Sequence, residues 1–182
     1  MVAGNEYEWV FGNWLAENGV GFVPVDQQRR SVLSRSRMKS FDFMLYPSGS
    51  GPIIAELKGR LFKGRSLAKM TGLQCWVNIE DVRGLLGWEK ALDVTGRDGH
   101  LRGTGWFIFA YKLENIDVET DGKDIYEFGQ DRYIFYAIKA DDYREFMKVR
   151  SPRWKTVTLP AEKFRQLAIP AGDLLCRDRA GV

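Results

Sequence analysis

Hydrophobic and polar positions follow two different periods along this chain, and the change of period predicts where helices and strands lie. Apolar side chains recur every three or four residues from 6 to 18, which predicts a helix that Gly19 ends. Apolar runs then predict a short extended piece at 22–25 and strands at 40–46 and 53–58. Turn residues fill positions 47–51 between these strands, so the two runs predict a β-hairpin with a longer loop.

The rest of the chain continues this alternation of helical and extended patterns. The next predictions are a basic loop at 59–70, a mainly helical segment at 71–92 with breaks at Gly84 and Gly87, and a buried strand at 105–113. A hairpin or a single strand with a turn at Gly129 follows within 124–139, and then a helix that is capped by Asp141 and extends to about Arg150. The chain ends with a strand at 156–159, a short helix opened by Pro160, and a loose tail beyond Gly172. This order predicts an α/β (α+β) fold in which helices flank a mixed central β-sheet.

Three charged residues interrupt the apolar hairpin, namely Asp42, Glu56 and Lys58. Alternate residues of a strand share a face, and pairing of Tyr46 near Pro52 would set Asp42 opposite Glu56. Adjacent carboxylates repel each other unless a cation lies between them, and such hard oxygen ligands suit Mg²⁺ or Mn²⁺. An ordinary surface charge pair is the alternative. The strands are too apolar for an exposed hairpin, which favours a buried functional site.

Basic residues concentrate around this hairpin. The whole chain has a net charge of +3, whereas residues 29–69 contain ten bases and only two acids, Asp42 and Glu56. Such a cluster predicts a polyanionic partner, and a solvated basic face is the alternative. The residues that we expect to contact nucleic acid are Arg29, Arg30, Arg35, Arg37, Lys39, Arg60, Lys63, Arg65 and Lys69.

The composition narrows the class of protein further. With 182 residues, 45% of them hydrophobic, the chain suits a single domain, with a core at about 5–140 and a C-terminal extension at about 141–182. No apolar run has the length of a membrane span, and the first ten residues lack a basic stretch followed by an apolar one, so no signal peptide is expected. The two distant cysteines, Cys75 and Cys176, predict reduced thiols and a cytoplasmic location.

Two other types of chemistry are disfavoured. The single histidine, His100, lies in a predicted loop, so histidine-based catalysis is not expected. Residues 59–66 nearly match a phosphate-binding loop, but Arg65 replaces its lysine, so we expect no nucleotide cofactor.

The element order αβββαβ, with Asp42 on one strand and Glu56-x-Lys58 on the next, resembles the PD-(D/E)XK nuclease superfamily. The resemblance covers residues 5–140 and implies a restriction-endonuclease-like, metal-dependent phosphodiesterase fold. It implies that Asp42 and Glu56 bind the metal, with the Leu57 carbonyl as a further ligand, and that Lys58 lies beside the attacking water. It also implies a metal ligand at Glu8 and a glutamine near the site at Gln74.

Both of these last residues have an alternative explanation. Glu8 could complete a helix capping box with Asn5, and Gln74 could lie on a helix surface. Trp154 has two alternatives as well, because it could pack in the core or stack on a base.

Several segments also resemble a small branch of the superfamily whose first helix begins His-Tyr-Glu. They are Glu6-Tyr7-Glu8, "PVDQQRR", "KSFDF", "ELKGR" and "RSPRWKTVTLP", which extend the resemblance to about residue 165. Glu6 departs from the branch, because the histidine thought to assist the metal site is absent.

The sequence therefore predicts a nuclease that uses Mg²⁺ or Mn²⁺ to hydrolyse DNA or structured nucleic acid. The expected partner is nucleic acid, with no membrane, and a homodimer is an expectation for a nuclease of this size. The alternative is a non-catalytic nucleic-acid-binding or protein-interaction module on the same scaffold. The complete set of two acids and a lysine favours the enzyme, because binding alone does not need the acids.

Overall fold

The computed structural model describes residues 6–25, 39–92, 103–115 and 117–176. The helices within these ranges are α1 (Glu6–Glu17), α2 (Ile79–Leu92), α3 (Ala140–Phe146), α4 (Ala161–Leu167) and α5 (Ala171–Leu175). The strands are β1 (Gly21–Pro24), β2 (Phe43–Tyr46), β3 (Ile53–Phe62), β4 (Val77–Asn78), β5 (Thr104–Leu113), β6 (Tyr126–Phe128), β7 (Asp131–Lys139), β8 (Lys148–Ser151), β9 (Thr156–Thr158) and β10 (Ile169–Pro170). None of the described helices is long and apolar enough to cross a membrane.

The central element is a mixed sheet with the strand order β1-β2-β3-β5-β7-β10, and β6 also pairs with β7. Strands β3 and β5 are parallel, and the other neighbours are antiparallel. A smaller antiparallel sheet has the order β4-β9-β8. The predicted mixed sheet flanked by helices, with the order αβββαβ, is therefore confirmed.

Each face of the central sheet is covered by its own hydrophobic cluster. Side chains of α1 and α5 pack against one face, which includes Ile53, Ala55 and Leu57 of β3. Side chains of α2, α3, α4 and the small sheet pack against the opposite face, which includes Ile54 and Phe62. The alternation along β3 thus directs its even-numbered residues toward α2.

The predicted hairpin and its register are confirmed. Phe43 pairs with Ala55 and Leu45 with Ile53, as pairing near Tyr46 and Pro52 requires. Strand β3 is longer than predicted, because it pairs with β5 over ten positions up to Phe62. The first four residues of the predicted basic loop at 59–70 therefore belong to a strand.

The helix predicted at 71–92 begins only at Ile79, so its first part is wrong. Val77 and Asn78 pair instead with Val157 and Thr156, which lie about eighty residues later in the sequence. The predicted breaks at Gly84 and Gly87 are also wrong, because α2 continues through both residues. A Cβ atom at Gly84 would lie 3.0 Å from the carbonyl oxygen of Lys39, so this glycine permits close packing.

The C-terminal third contains two more corrections. Helix α3 ends at Phe146 and not near Arg150, because residues 148–151 form β8 beside β9, and Lys139 occupies the cap position in place of Asp141. The prediction of a loose tail beyond Gly172 is wrong for residues up to Leu175, since these residues lie in α5, where Leu174 and Leu175 are buried. The β6–β7 hairpin with its turn at Gly129 is confirmed, as is the short helix after Pro160.

Gly59 provides a test of the packing between α1 and β3. A methyl group at Gly59 would lie 2.2 Å from Cδ2 of Tyr7, whose ring packs edge-on against Tyr133. We expect Gly59→Ala to displace this ring and to lower the free energy of unfolding by about 1–3 kcal/mol. For a chain of this size, the melting temperature should fall by about 3–10 °C, as measured by circular dichroism.

Gly172→Ala is the matched control for this substitution. Gly172 lies in α5, and a methyl group there would have no heavy atom within 4 Å. Its melting temperature should equal or slightly exceed that of the wild type, since alanine favours helices. If Gly59→Ala and Gly172→Ala had the same melting temperature, the close contact between Tyr7 and β3 would be refuted.

Candidate active site

Strand β3 directs Glu56 and Lys58 toward α2, on the face that also contains Ile54 and Phe62. The strand lies between β2 and β5, so these charged side chains are not at a sheet edge. Glu56 is buried, with 7% of its side chain exposed, and Lys58 has 15% exposed. The two residues are in contact, because Lys58 Nζ lies 2.7 Å from Glu56 Oε1.

Asp42 approaches this pair from the segment that leads into β2. Its backbone N–H donates to the Ala55 carbonyl at 3.0 Å, and its carbonyl accepts from the Val25 N–H at 2.8 Å. Its Oδ2 atom accepts from the Leu57 N–H at 2.8 Å. These bonds fix the carboxylate beside β3, next to the peptide that joins Glu56 to Leu57.

The chain bends at Asp42, and the flanking side chains reveal the bend. Phe41 packs in the cluster beneath α2, whereas Phe43 packs in the cluster beneath α1. Residues two apart on a regular strand would share one face. The bend therefore separates the two phenylalanines and leaves Asp42 at the boundary between the two clusters.

A third carboxylate, that of Asp81, completes a network of buried charges. Its Oδ2 atom lies 2.7 Å from Lys58 Nζ, and its Oδ1 atom contacts Lys39 Nζ. Lys39 Nζ also lies 3.5 Å from Glu56 Oε1. Two ammonium groups thus bridge Glu56 and Asp81, and both of them approach the same oxygen of Glu56.

The sequence analysis missed Asp81 as a site residue. Asp81 is in the first turn of α2, and its Oδ2 atom also accepts from the Asn78 N–H at 3.2 Å. An acid in a first turn is typical of capping and of the helix dipole, so its type alone indicates no site. Complete burial of the side chain distinguishes it, and that follows only from the docking of α2 on the sheet.

Lys39 reaches the network because its backbone is held against α2. The indole Nε1 of Trp88 donates to the Lys39 carbonyl at 2.9 Å, and Gly84 leaves room for that carbonyl. The ring of Phe41 packs edge-on against Trp88, with ring centroids 5.5 Å apart. The predicted nucleic-acid contact Lys39 therefore belongs to the buried network, with about a third of its side chain still exposed.

The charges in this network perturb one another. Burial, together with the negative charge of Glu56, raises the pKa of Asp42 to about 6, although the Leu57 N–H bond opposes the change. The charge of Glu8 on α1 raises the pKa of Asp42 further. Burial also lowers the pKa of Lys58, and Glu56 opposes that change. Burial and the charge of Glu56 therefore both disfavour the charged form of Asp42.

The donor set fits a small divalent cation. No group of three acidic, histidine or cysteine side chains suited to a metal ion occurs in the ranges that the structure describes. Mg²⁺ commonly binds through one or two carboxylates and retains several waters, so Asp42 and Glu56 suffice. Burial is the main cause of the raised pKa of Asp42, and the repulsion from Glu56 that adds to it is what a cation between the two carboxylates would relieve. The Leu57 carbonyl, the further ligand that the resemblance implies, directly follows Glu56 on β3.

The structure agrees with the predicted position of only some of the other residues that the resemblance implies. Gln74 precedes β4 and is not on a helix, because α2 begins five residues later, so its predicted helical position is wrong. Its carbonyl accepts from the Tyr111 hydroxyl at 3.0 Å. Glu8 lies on α1 as predicted. Glu6, at the histidine position of the branch, accepts from Lys112 Nζ and from the Tyr133 hydroxyl, each at 2.7 Å.

The predicted basic surface is only partly described. Lys63, Arg65 and Lys69 are exposed on the segment that follows β3. Arg60 is half-buried, and its guanidinium lies 4.0 Å from the ring centroid of Trp76 and donates to the carbonyls of Gly59 and Trp76. The predicted contacts Arg29, Arg30, Arg35 and Arg37, like Asn5 and His100, lie outside the described residues.

Comparisons with known proteins find a similarity in structure but none in sequence. No protein-family model matches this chain, and neither does any curated protein. Among solved structures, the chain is similar to Hjc, a Holliday junction resolvase from the archaeal hyperthermophile Archaeoglobus fulgidus. The TM-score is 0.47 at 10% sequence identity, over 90% of this chain and 97% of that chain. The residues of the site themselves therefore have to indicate its chemistry.

Proposed function

We propose that this protein is a nuclease of the PD-(D/E)XK type, which uses Mg²⁺ or Mn²⁺ to hydrolyse phosphodiester bonds in DNA or structured nucleic acid. The observation that supports this most strongly is the convergence of Asp42, Glu56 and Lys58. Asp42 accepts from the peptide that follows Glu56, and Lys58 contacts Glu56 at 2.7 Å. Two mutually repelling carboxylates beside an ammonium group suit a metal-assisted attack on a phosphate.

Each residue has a distinct role in the proposed reaction. Asp42 and Glu56 would hold the cation, with the Leu57 carbonyl as a further ligand and Glu8 as an additional acid. The bound cation would polarise a phosphate oxygen and lower the pKa of its water. Lys58 presents positive charge to the attacking water and to the charge that develops on the phosphate. Asp81 is a positioning residue, because its carboxylate on α2 contacts the Lys58 ammonium group at 2.7 Å and fixes its direction.

The exposed bases extend this proposal to substrate binding. Lys63, Arg65 and Lys69 follow β3 directly and would contact phosphates on either side of the cleaved bond. A homodimer, a cytoplasmic location and membership of the branch with the His-Tyr-Glu helix stay predictions from the sequence.

A specific observation favours a second candidate, a non-catalytic nucleic-acid-binding module. Lys39 and Lys58 already neutralise much of the charge on Glu56 and Asp81. Such a network could hold α2 against β3 without any metal. The two candidates differ at Asp42, because burial and the negative charge of Glu56 raise the pKa of Asp42, and a bound cation would relieve the repulsion between the two carboxylates.

Substitution of the three site residues tests the chemistry. Asp42→Asn, Glu56→Gln and Lys58→Met should each lower cleavage by at least about 100-fold, since each removes a charge that stabilises the transition state. The assay uses duplex, single-stranded, branched and RNA substrates with Mg²⁺ or Mn²⁺. Glu162→Gln, an exposed change on α4, is the control and should cleave at the wild-type rate. Wild-type rates in two of the three site variants would refute the assignment.

Thermal melts separate a metal site from a structural ion network. Divalent cation at about a hundredfold excess over Kd should stabilise the wild type by about 2.7 kcal/mol, a rise in melting temperature of about 5–10 °C. In chelator, Asp42→Asn should melt above the wild type, because it removes the repulsion from Glu56 and still accepts from the Leu57 N–H. The variant should also lose most of the metal response.

Asp141→Asn is the control for these melts, because Asp141 pairs with Arg144 on the surface of α3. It should retain the full metal response. The structural alternative predicts the opposite pattern, with a destabilised Asp42→Asn and no shift of the wild type at millimolar Mg²⁺ or Mn²⁺. That result would refute the proposed metal site and support the second candidate, the non-catalytic module.

A further inference from the structure

Residues 148–158, which comprise β8, a turn and β9, form a strongly basic element that we call the basic hairpin. It carries four exposed cations and no acid, and the cations are Lys148, Arg150, Arg153 and Lys155. No salt bridge joins any of them to a carboxylate in the part of the chain that the structure describes. Their charge is therefore presented to solvent, where it favours a polyanion.

Trp154 lies at the tip of the basic hairpin with 67% of its surface exposed. The turn is held by the Lys155 N–H, which donates to the Pro152 carbonyl at 3.2 Å, and by the Trp154 N–H, which donates to Ser151 Oγ at 3.3 Å. The guanidinium of Arg153 lies 5.2 Å from the indole ring. A fixed, exposed indole beside a cation is the arrangement on which an unpaired base stacks.

A β-bulge gives Arg150 a separate orientation. Val149 pairs with Val157 and Ser151 with Thr156, so Arg150 is the extra residue between them. Bulges turn a side chain away from the regular ladder. The guanidinium of Arg150 lies 5.1 Å from the ring centroid of Trp76, against which Arg60 also packs.

Two contacts connect the basic hairpin to the candidate active site. The Lys155 carbonyl accepts from the Ile79 N–H at 2.9 Å, at the start of α2. Asp81 follows two residues later and contacts Lys58. On the other side, Arg60 is two residues beyond Lys58 on the same face of β3, a separation of about 7 Å. Cations and aromatic rings thus extend from Trp154 to the edge of the site.

We propose that the basic hairpin binds a single-stranded segment of nucleic acid, with Trp154 stacked on a base and Arg150, Arg153 and Lys155 on its phosphates. A duplex buries its base faces by stacking, so an exposed indole selects unpaired bases. Binding of a single strand by the basic hairpin does not depend on the proposed function. Only the delivery of the adjoining phosphodiester to the candidate active site rests on it. The substrate class is therefore nucleic acid with a single-stranded arm next to the bond that is cut.

Binding is measured by fluorescence anisotropy in chelator, so that no cleavage occurs, with the full-length chain. The probes are an oligothymidylate, an oligouridylate, a forked duplex with single-stranded arms and a blunt duplex. Trp154→Ala should weaken binding to the first three by about 5- to 100-fold, the range that loss of one base stack gives, and should leave the blunt duplex within about twofold. Trp154→Phe should retain most of the affinity, because its ring still stacks.

Matched controls separate stacking from general effects. Trp9 is 64% exposed on α1, so Trp9→Ala removes a similar indole from a different surface and should bind as the wild type does. Arg153→Gln and Lys155→Gln should each flatten the slope of log affinity against log salt by about 0.7. Arg165→Gln on α4 should leave that slope unchanged.

The outcomes also separate this proposal from the proposed nuclease. Unchanged single-strand affinity in Trp154→Ala would overturn the role of the basic hairpin, even if the wild type cleaves. An equal loss on the blunt duplex would overturn the preference for unpaired bases. No binding of any probe by the wild type at low salt would also overturn it and indicate a protein partner for Trp154 and Val149. Binding that depends on Trp154, without any cleavage in Mg²⁺ or Mn²⁺, would support the basic hairpin and reject the nuclease.

Discussion

The side chain of Asp81 is completely buried, and transfer of a carboxylate from water into a protein interior costs several kcal/mol unless opposite charges accompany it. Lys58 and Lys39 supply those charges, and Lys58 in turn contacts Glu56, which is also on β3. Each buried charge therefore depends on the others. The need to compensate the buried charge of Asp81 therefore links the docking of α2 on β3, the position of Lys39 and the orientation of Lys58.

A buried network of this kind is a weak source of stability. Hydrophobic residues of similar volume often stabilise a fold as well or better, because they require no desolvation of charge. The hydrogen bond from the Leu57 N–H gives Asp42 a structural role, but Asp42 also adds a third carboxylate whose pKa is raised by burial and by the charge of Glu56. Accumulation of negative charge in a partly buried place is costly by itself, and it becomes favourable when a cation binds. This asymmetry favours a functional site over a structural one.

Local patterns were sufficient for the hairpin but not for the residues that surround it. Alternation along β3 and the turn at 47–51 predicted the register of Phe43 with Ala55, because a hairpin is set by nearby residues. The start of α2 was predicted too early, because β4 forms only through pairing with β9. Asp81 was missed for the same reason, since its burial depends on contacts with Lys39 and Lys58 that are distant in sequence.

Gly84 illustrates how a residue can be recognised as unusual and still be misinterpreted. Glycine within a helical pattern predicts a break when only local propensity is considered. Here the helix continues, and the missing side chain lets the Lys39 carbonyl approach α2. The same carbonyl accepts from Trp88, so the glycine and the indole together hold the segment that carries Lys39 into the network.

The first turn of α2 connects the two surfaces that the proposals concern. Its Ile79 N–H bonds to the tip of the basic hairpin, and its Asp81 carboxylate bonds to Lys58. Ile79 and Asp81 are only two positions apart, so the distance between these contacts is fixed by one helical turn and not by a loop. A strand held by Trp154 would therefore be positioned relative to Lys58 by rigid backbone. Precise placement of this kind is what in-line attack on a phosphate requires.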